Sequence, residues 1–161
     1  METTSLYVMR LEEAAWGASL IASTMVMHGI GMLTTLRATT ALKMRVEGSQ
    51  SLVLASGPLV LGAWMITLVH LVEIGVWAGF FHWKALLPNA STCYAFALMT
   101  YTTLGSEYYL PLDWRLLQGM LAMVGLMTFA WSTGVLLTLA DGFQKRQIAL
   151  WSRGKGTDAA K

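Results

Sequence analysis

Three runs of at least 23 residues contain no Asp, Glu, Lys or Arg, and they constrain the fold more than any other feature. They extend over residues 14–36, 48–72 and 116–140. About 20 helical residues cross the roughly 30 Å hydrocarbon core of a bilayer, so each run is long enough to span it alone. Only 12% of the 161 residues are charged, too few to cover the surface of a water-soluble domain. The sequence therefore predicts an all-α integral membrane protein with three transmembrane helices.

A fourth charge-free run, residues 85–106, differs from the other three in its polarity. It begins with the polar stretch 88–92 and ends with the hydroxyl-rich stretch 100–103, neither of which suits contact with lipid. We expect a short helix over about residues 90–102, followed by irregular backbone. Such backbone is tolerated at membrane depth only where protein or a water-filled cavity surrounds it. The sequence therefore predicts a re-entrant segment between the second and third spans.

The basic residues indicate the orientation of the chain in the membrane. The connection between the first two spans contains Arg37, Lys43 and Arg45, and five more basic residues follow the third span. The positive-inside rule assigns both regions to the cytoplasm. We therefore expect a multi-pass protein of the cell membrane with its N-terminus outside and its C-terminus in the cytoplasm. The small net charge of +2 gives no indication of a nucleic-acid partner.

The segment from Thr100 to Glu107 combines hydroxyl side chains, a glycine and a carboxylate at its outer end. A filter that strips water from a monovalent cation needs closely spaced oxygen ligands, which main-chain carbonyls and threonine hydroxyls supply. Since one chain offers only one or two oxygens at each level, four copies around an axis are required. The pattern therefore predicts a homotetramer in the lipid bilayer, with the filter on its central axis.

The order of outer helix, short helix, Thr102-Thr103-Leu104-Gly105 and inner helix resembles the pore module of the potassium-channel superfamily. It is most similar to the small bacterial "two pore domain potassium channel family" proteins, which carry one extra N-terminal helix. The resemblance covers roughly residues 52–142 and includes the stretches 70–77, 114–117 and 129–133. It implies a tetrameric pore-loop channel with an N-terminal helix and cytoplasmic loop (1–51), an outer helix (52–83), a pore helix (about 90–102), a filter (103–108), an inner helix (113–140) and a short cytoplasmic tail (143–161).

The outer half of the expected filter departs from that family. The family filter reads T-x-G-Y-G-D, which Thr103, Leu104 and Gly105 match, whereas Ser106, Glu107 and Tyr108 replace its tyrosine, second glycine and aspartate. A residue with a Cβ at the second glycine position makes the required backbone angles costly. The resemblance therefore implies passive conduction of monovalent cations with weakened or altered potassium selectivity. Its expected filter residues are Thr102 to Glu107, with Tyr108 as a supporting residue.

Two alternatives to a potassium-like channel remain open. Four Glu107 carboxylates at the pore mouth would concentrate cations and favour divalent ones, which describes a non-selective or calcium-permeable channel. The alternative role for Glu107 is that of an exposed residue paired with Lys84 or Arg115. The second alternative for the whole chain is a non-conducting membrane accessory subunit that keeps the fold but has lost its filter. No nucleophile–base arrangement, phosphate-binding glycine loop or metal-ligand spacing is present in the sequence. We therefore expect no enzymatic activity and no cofactor other than permeant K+, Na+ or Ca2+.

Glu73 and His70 lie three residues apart and share one face of the second helix. An ionisable residue inside a membrane segment is a functional candidate by default. Counting from Ser51 at 1.5 Å per residue puts Glu73 about 33 Å along the helix, near the outer boundary. We expect Glu73 and His70 to support the filter, with Glu73 accepting hydrogen bonds from behind the loop. The alternative is that Glu73 reaches water at the boundary.

His28 and His70 raise the question of haem ligation, because two imidazoles from different helices can bind one iron. The same counting puts His28 about 21 Å below the outer start of its span, and His70 near the outer edge of the next helix. One iron is therefore not expected to reach both, and His28 is expected to form an interhelical hydrogen bond. In the third span, Gly125 and Gly134 are candidate gating hinges, with close helix packing as the alternative.

Overall fold

The structure, a computed structural model, describes residues 7–46 and 51–158 and is all-helical over these residues. Three long helices are each apolar and long enough to span a membrane, and a short helix and one 3-10 turn lie between the second and the third of them. The elements are α1 (Leu11–Val46), α2 (Leu52–Trp83), α3 (Ala90–Tyr101), the 3-10 turn (Leu112–Trp114) and α4 (Leu116–Asp158). This pattern is that of a multi-pass membrane protein.

Two of the long helices extend well beyond the charge-free runs that predict them. α1 continues to Val46 and so includes Arg37, Lys43 and Arg45, while α4 continues past residue 140 to Asp158. The length of a charge-free run indicates only the part of a helix that lipid can surround. The helix itself can continue further, because Lys and Arg are good helix formers. The expectation that the inner helix ends at 140 was therefore wrong. The predicted connection between the first two spans, which was to contain Arg37, Lys43 and Arg45, is therefore helical up to Val46, and its residues 47–50, like the last residues, 159–161, lie outside the described residues.

The two middle helices have bounds close to those expected from the sequence. α2 begins at Leu52 and ends at Trp83. α3 begins at Ala90, where the Oδ1 atom of Asn89 accepts a 2.8 Å hydrogen bond from the main-chain nitrogen of Thr92. An asparagine in this position satisfies one of the main-chain donors that a helix start leaves unpaired. With 12 residues, α3 is only about 18 Å long, since each residue adds 1.5 Å.

The chain divides into two compact units, and the first consists of the segments Met1–Gly29 and Val69–Ala130. Its core is aromatic and aliphatic, with fully buried side chains from α2, α3 and α4 (Trp77, Phe81, Phe96, Tyr101, Leu117, Leu121). At one end of this unit Lys84 pairs with Glu12 at 3.4 Å and lies over the rings of Trp16, Trp83 and Trp114. The start of α1, the end of α2 and the start of α4 therefore meet at this end.

The second unit consists of the segments Ile30–Leu68 and Trp131–Lys161. Met32, Ala55, Ile66 and Val135 are its buried apolar residues. The buried hydroxyl of Thr39 donates to carbonyls of α1 itself, which satisfies it without a partner on another helix. Arg146 of α4 donates a 2.5 Å hydrogen bond to the carbonyl of Val46, one of the carbonyls that the end of α1 leaves unpaired.

Candidate functional site

The end of α3 is a Schellman turn that places a threonine in a glycine-type conformation. The main-chain nitrogen of Leu104 donates to the carbonyl of Met99, and that of Thr103 donates to the carbonyl of Thr100, both at 3.0 Å. The residue at the centre of such a turn adopts positive φ and is usually glycine. Here it is Thr103, with a φ of 60°. A β-branched residue is strained at this angle, and strained residues cluster at functional sites.

The loop after this turn, residues 103–109, leaves its backbone uncovered. Leu104 is 79% exposed and Tyr109 is 68% exposed. Within the described part of the chain, the carbonyls of Thr103 to Glu107 accept no main-chain hydrogen bond. The loop turns at Gly105, which adopts a positive φ of 81°. A hydrogen bond from the main-chain nitrogen of Tyr108 to the hydroxyl of Ser106 stabilises it locally.

In the part of the chain that the structure describes, Glu107 lacks the ion pair with Lys84 or Arg115 that its alternative role requires. Glu107 is exposed, and among the described residues it forms no ion pair. Lys84, one of its expected partners, pairs with Glu12 instead, and Arg115 is exposed. The side chain of Tyr108 is 41% exposed. The loop thus presents carbonyls, hydroxyls and a carboxylate on the surface of the single chain.

Behind the loop, Glu73 is fully buried, so the alternative that it reaches water is wrong. Its Oε2 atom accepts a 2.5 Å hydrogen bond from the hydroxyl of Tyr101, the last residue of α3. Its Oε1 atom lies 2.9 Å from Nδ1 of His28 on α1. Glu73 therefore contacts the end of α3 and α1, not the loop residues 103–108 themselves. It is the centre of a buried polar cluster of five residues, His28, His70, Glu73, Tyr101 and Thr128.

His28 and His70 lie side by side, although counting residues along their helices predicts that they lie at different depths. Their ring centroids are 5.4 Å apart, and Nδ1 of His70 lies 3.5 Å from Oε2 of Glu73. The count failed because it took the start of α2 as the inner edge of the membrane. Measured from Trp83, the outer end that the sequence also predicts, His70 lies about 20 Å along the helix. The depth reason for excluding a shared metal is therefore wrong. The expected interhelical hydrogen bond of His28 is confirmed, with Glu73 as its partner.

The sequence did not predict two members of the polar cluster, Tyr101 and Thr128. The hydroxyl of Tyr101 lies 2.8 Å from Nδ1 of His70 and 2.6 Å from Oγ1 of Thr128 on α4. Phe129 stacks on the ring of His70 with centroids 4.6 Å apart. An isolated Thr in an apolar helix gives no signal of such a contact, since it more often bonds back to its own helix. His28, His70 and Glu73 each offer one ligand atom to a metal ion, and these atoms lie within 4.8 Å of one another.

The two candidate hinge glycines have different surroundings. At Gly125 an added Cβ would collide with the main-chain carbonyl of Tyr101, so this glycine allows α4 to approach the end of α3 closely. At Gly134 an added Cβ would meet no atom within 4 Å. Close packing therefore accounts for Gly125, whereas nothing in the described residues requires a glycine at 134.

No family model, curated protein or solved structure matches this chain.

Proposed function

We propose that the chain forms a tetrameric, potassium-channel-like pore that passively conducts monovalent cations, with weakened or altered potassium selectivity. The observation that carries the proposal is the loop at residues 103–109. It follows a short helix in a chain with three helices long enough to span a membrane. Its carbonyls from Thr103 to Glu107 accept no main-chain hydrogen bond within the described residues. Such carbonyls are the ligands that replace the hydration shell of a cation in a filter.

The contacts of Tyr101 support a re-entrant position for α3. Its partner Glu73 lies ten residues before Trp83, about 15 Å from the end of α2. The chain then returns to Leu116, whose nitrogen donates to Glu13 near the start of α1. Since the start of α1 and the end of α2 meet at one end of the unit, α3 enters from that end and the loop returns to it. At about 18 Å, α3 is too short to cross a hydrocarbon core of roughly 30 Å.

The exposure of the loop supports assembly of several copies. Irregular backbone at membrane depth must be covered by protein or must line a water-filled cavity. In a single chain Leu104 would instead be in contact with lipid beside uncovered carbonyls. Four copies around an axis satisfy both conditions, because each loop covers its neighbour and together they enclose the ion path. The homotetramer is therefore part of the proposal, with Thr102 to Glu107 as the filter segment.

The exposure of Glu107 also favours a second candidate, a non-selective or calcium-permeable pore. Its carboxylate has no ion-pair partner in the described chain, so four of them would stand at the outer mouth with their charge unbalanced. Such a ring attracts divalent cations more strongly than monovalent ones. In both candidates the N-terminus lies outside, the C-terminus lies in the cytoplasm and no covalent chemistry occurs.

Flux into vesicles that contain the purified protein tests the proposal. We expect K+ to enter faster than Na+, by a smaller factor than in a strongly selective potassium channel, and chemical cross-linking in the same vesicles to give a tetramer. Equal entry of K+ and Na+, or entry of Ca2+ ahead of both, would favour the second candidate. A monomeric chain, or a tetramer that conducts no ion and copurifies with another membrane protein, would overturn the channel and indicate an accessory subunit.

A further inference from the structure

The buried polar cluster holds the elements of the first unit together through a single carboxylate. Glu73 of α2 contacts His28 of α1 through one oxygen, and Tyr101 of α3 and His70 of α2 through the other. His28 and Glu73 are fully buried, and His70 is 7% exposed. A carboxylate buried in this way needs a compensating positive charge nearby. Within the described residues no lysine or arginine pairs with it.

The ligand atoms of His28, His70 and Glu73 all lie within 4.8 Å of one another, close to the spacing in the coordination shell of a small divalent ion. The ligand atoms of a tetrahedral zinc ion lie about 2.0–2.1 Å from the metal and so about 3.3 Å from each other. In the cluster, Nδ1 of His28 is 2.9 Å from Oε1 of Glu73, and Nδ1 of His70 is 3.5 Å from Oε2. The hydroxyl of Tyr101 lies 2.8 Å from Nδ1 of His70. The Tyr101 hydroxyl also lies 2.5 Å from Oε2 of Glu73, so these two oxygens would move apart to about 3.3 Å around a bound ion.

The donor types and their supports also suit a transition metal. Imidazole nitrogen and carboxylate oxygen together are ligands of Zn2+ and of other first-row divalent ions. Metal ligands are usually oriented by further contacts, and here Phe129 stacks on His70 while Thr128 lies 2.6 Å from the hydroxyl of Tyr101. Both of these supporting residues lie on α4. A metal ion bound here would join α1, α2 and α3 directly and α4 through these contacts.

We propose that His28, His70 and Glu73, with the phenolate of Tyr101 as a fourth ligand, bind one divalent transition-metal ion such as Zn2+ in each chain, and that the phenol proton is released to solvent on binding. The ion supplies the positive charge that the buried carboxylate requires. It also fixes the last residue of α3, and with it the start of the exposed loop. The site lies behind the loop and is independent of the proposed ion path, so it stands whether or not the chain conducts ions.

Cobalt binding tests the site, because Co2+ substitutes for zinc and shows visible absorption that reports its ligand geometry. Protein purified in detergent and stripped with a chelator is titrated with Co2+, and bound metal is counted by elemental analysis. We expect one ion per chain, with the absorption of a four-coordinate site that Zn2+ displaces. Zn2+ should also raise the unfolding temperature of the wild-type protein, because it binds the folded chain.

Three variants separate this site from adventitious binding. His70→Ala and Glu73→Gln should each weaken Co2+ binding at least tenfold, and Zn2+ should no longer raise the unfolding temperature. His82→Ala is the matched control, since His82 lies on the same helix but is exposed, and it should bind as the wild type does. The near-isosteric Glu73→Gln change keeps the test valid if His70→Ala does not fold. A wild-type protein that binds no cobalt, or binding that only His82→Ala removes, would overturn the metal site and leave a network of hydrogen bonds.

Discussion

The Oε1 atom of Glu13 lies 2.6 Å from the main-chain nitrogen of Leu116, the first residue of α4. A carboxylate at the start of a helix accepts a hydrogen bond from a main-chain N–H that would otherwise be unpaired, and it interacts favourably with the helix dipole. Glu13 is 1% exposed although it lies only two residues after the start of α1. Asp113, which precedes α4 in the sequence, instead forms a 3.0 Å ion pair with Arg10. The cap of α4 therefore comes from the other end of the sequence.

Replacement of this cap should destabilise the protein measurably. We expect Glu13→Ala to lower the free energy of unfolding by about 1–2 kcal/mol, because the partly buried cap of α4 is lost. The neighbouring Glu12 forms only an exposed pair with Lys84, so Glu12→Ala should cost less than about 0.5 kcal/mol. Unfolding in mixed detergent micelles measures both values. Equal effects of the two changes would show that Glu13 does not act as a cap.

The same carboxylate controls the ionisation of Tyr7. The hydroxyl of Tyr7 donates a 2.6 Å hydrogen bond to Oε2 of Glu13, which raises the pKa of Tyr7 from 10.0 to about 12. Because this pKa is raised in the folded protein, the bond stabilises the fold fully below pH 10. This stabilisation is lost as the pH rises through 12. In ultraviolet difference titrations, Tyr7→Phe should remove a phenol with a midpoint near pH 12.

A change at Glu13, the hydrogen-bond partner of Tyr7, is the control for that titration. With Glu13→Gln the charge next to the phenol is gone, so the midpoint of Tyr7 should fall towards the ordinary value of 10. A Tyr7 midpoint near 10 in the wild-type protein would mean that the phenol and the carboxylate do not interact in solution.

Relief of the strained turn at Thr103 should stabilise the protein, in contrast to the loss of the Glu13 cap. A residue with a Cβ at positive φ costs about 1–2 kcal/mol, which glycine avoids. Thr103→Gly should therefore raise the free energy of unfolding by about 1 kcal/mol. At Thr102, where φ is −83°, the same change should lower it by a similar amount, because glycine there only adds flexibility to the unfolded chain. If both changes destabilise the protein, the turn at Thr103 is not strained.

The helices were the predictable part of this fold, because their signals are local. The charge-free runs identify all three long helices, and the polar start at Asn89 indicates where α3 begins. The ends of α1 and α4 were not predictable from these runs, since charged residues continue a helix outside lipid as readily as apolar ones do.

The buried polar cluster was predictable only in part. Glu73 and His70 are recognisable because an ionisable residue is unexpected in an apolar helix. Their contacts with His28 and Thr128 depend on how far each helix is shifted along its neighbours, which no single helix encodes. Counting depth from the start of α2, as if that start marked the inner edge of the membrane, was enough to separate His28 from His70, whose rings are 5.4 Å apart. The cap from Glu13 to Leu116 was missed for the same reason, since 103 residues separate the two.

Gly125 and Gly134 of α4 provide a matched pair of substitutions that tests the close packing of α4 against the end of α3. Gly125→Ala should lower the free energy of unfolding by about 1–3 kcal/mol, because its Cβ would collide with the carbonyl of Tyr101. Gly134→Ala should leave it unchanged or raise it by up to about 1 kcal/mol, because the new Cβ meets nothing and alanine favours the helix. The same micelle unfolding assay measures both. The reverse order would contradict the packing of α4 against the end of α3.

A last prediction concerns the charge at the proposed pore mouth, and it depends on the proposed function. If four Glu107 carboxylates concentrate cations there, Glu107→Gln should reduce single-channel conductance at low salt. The difference should vanish near 1 M salt, where charges are screened within about 3 Å, compared with about 30 Å at 0.01 M. Glu12→Gln is the control, since it removes another exposed carboxylate, one that pairs with Lys84 and lies outside the loop. Conductance that Glu107→Gln leaves unchanged at low salt would remove Glu107 from the ion path, and the second candidate function with it.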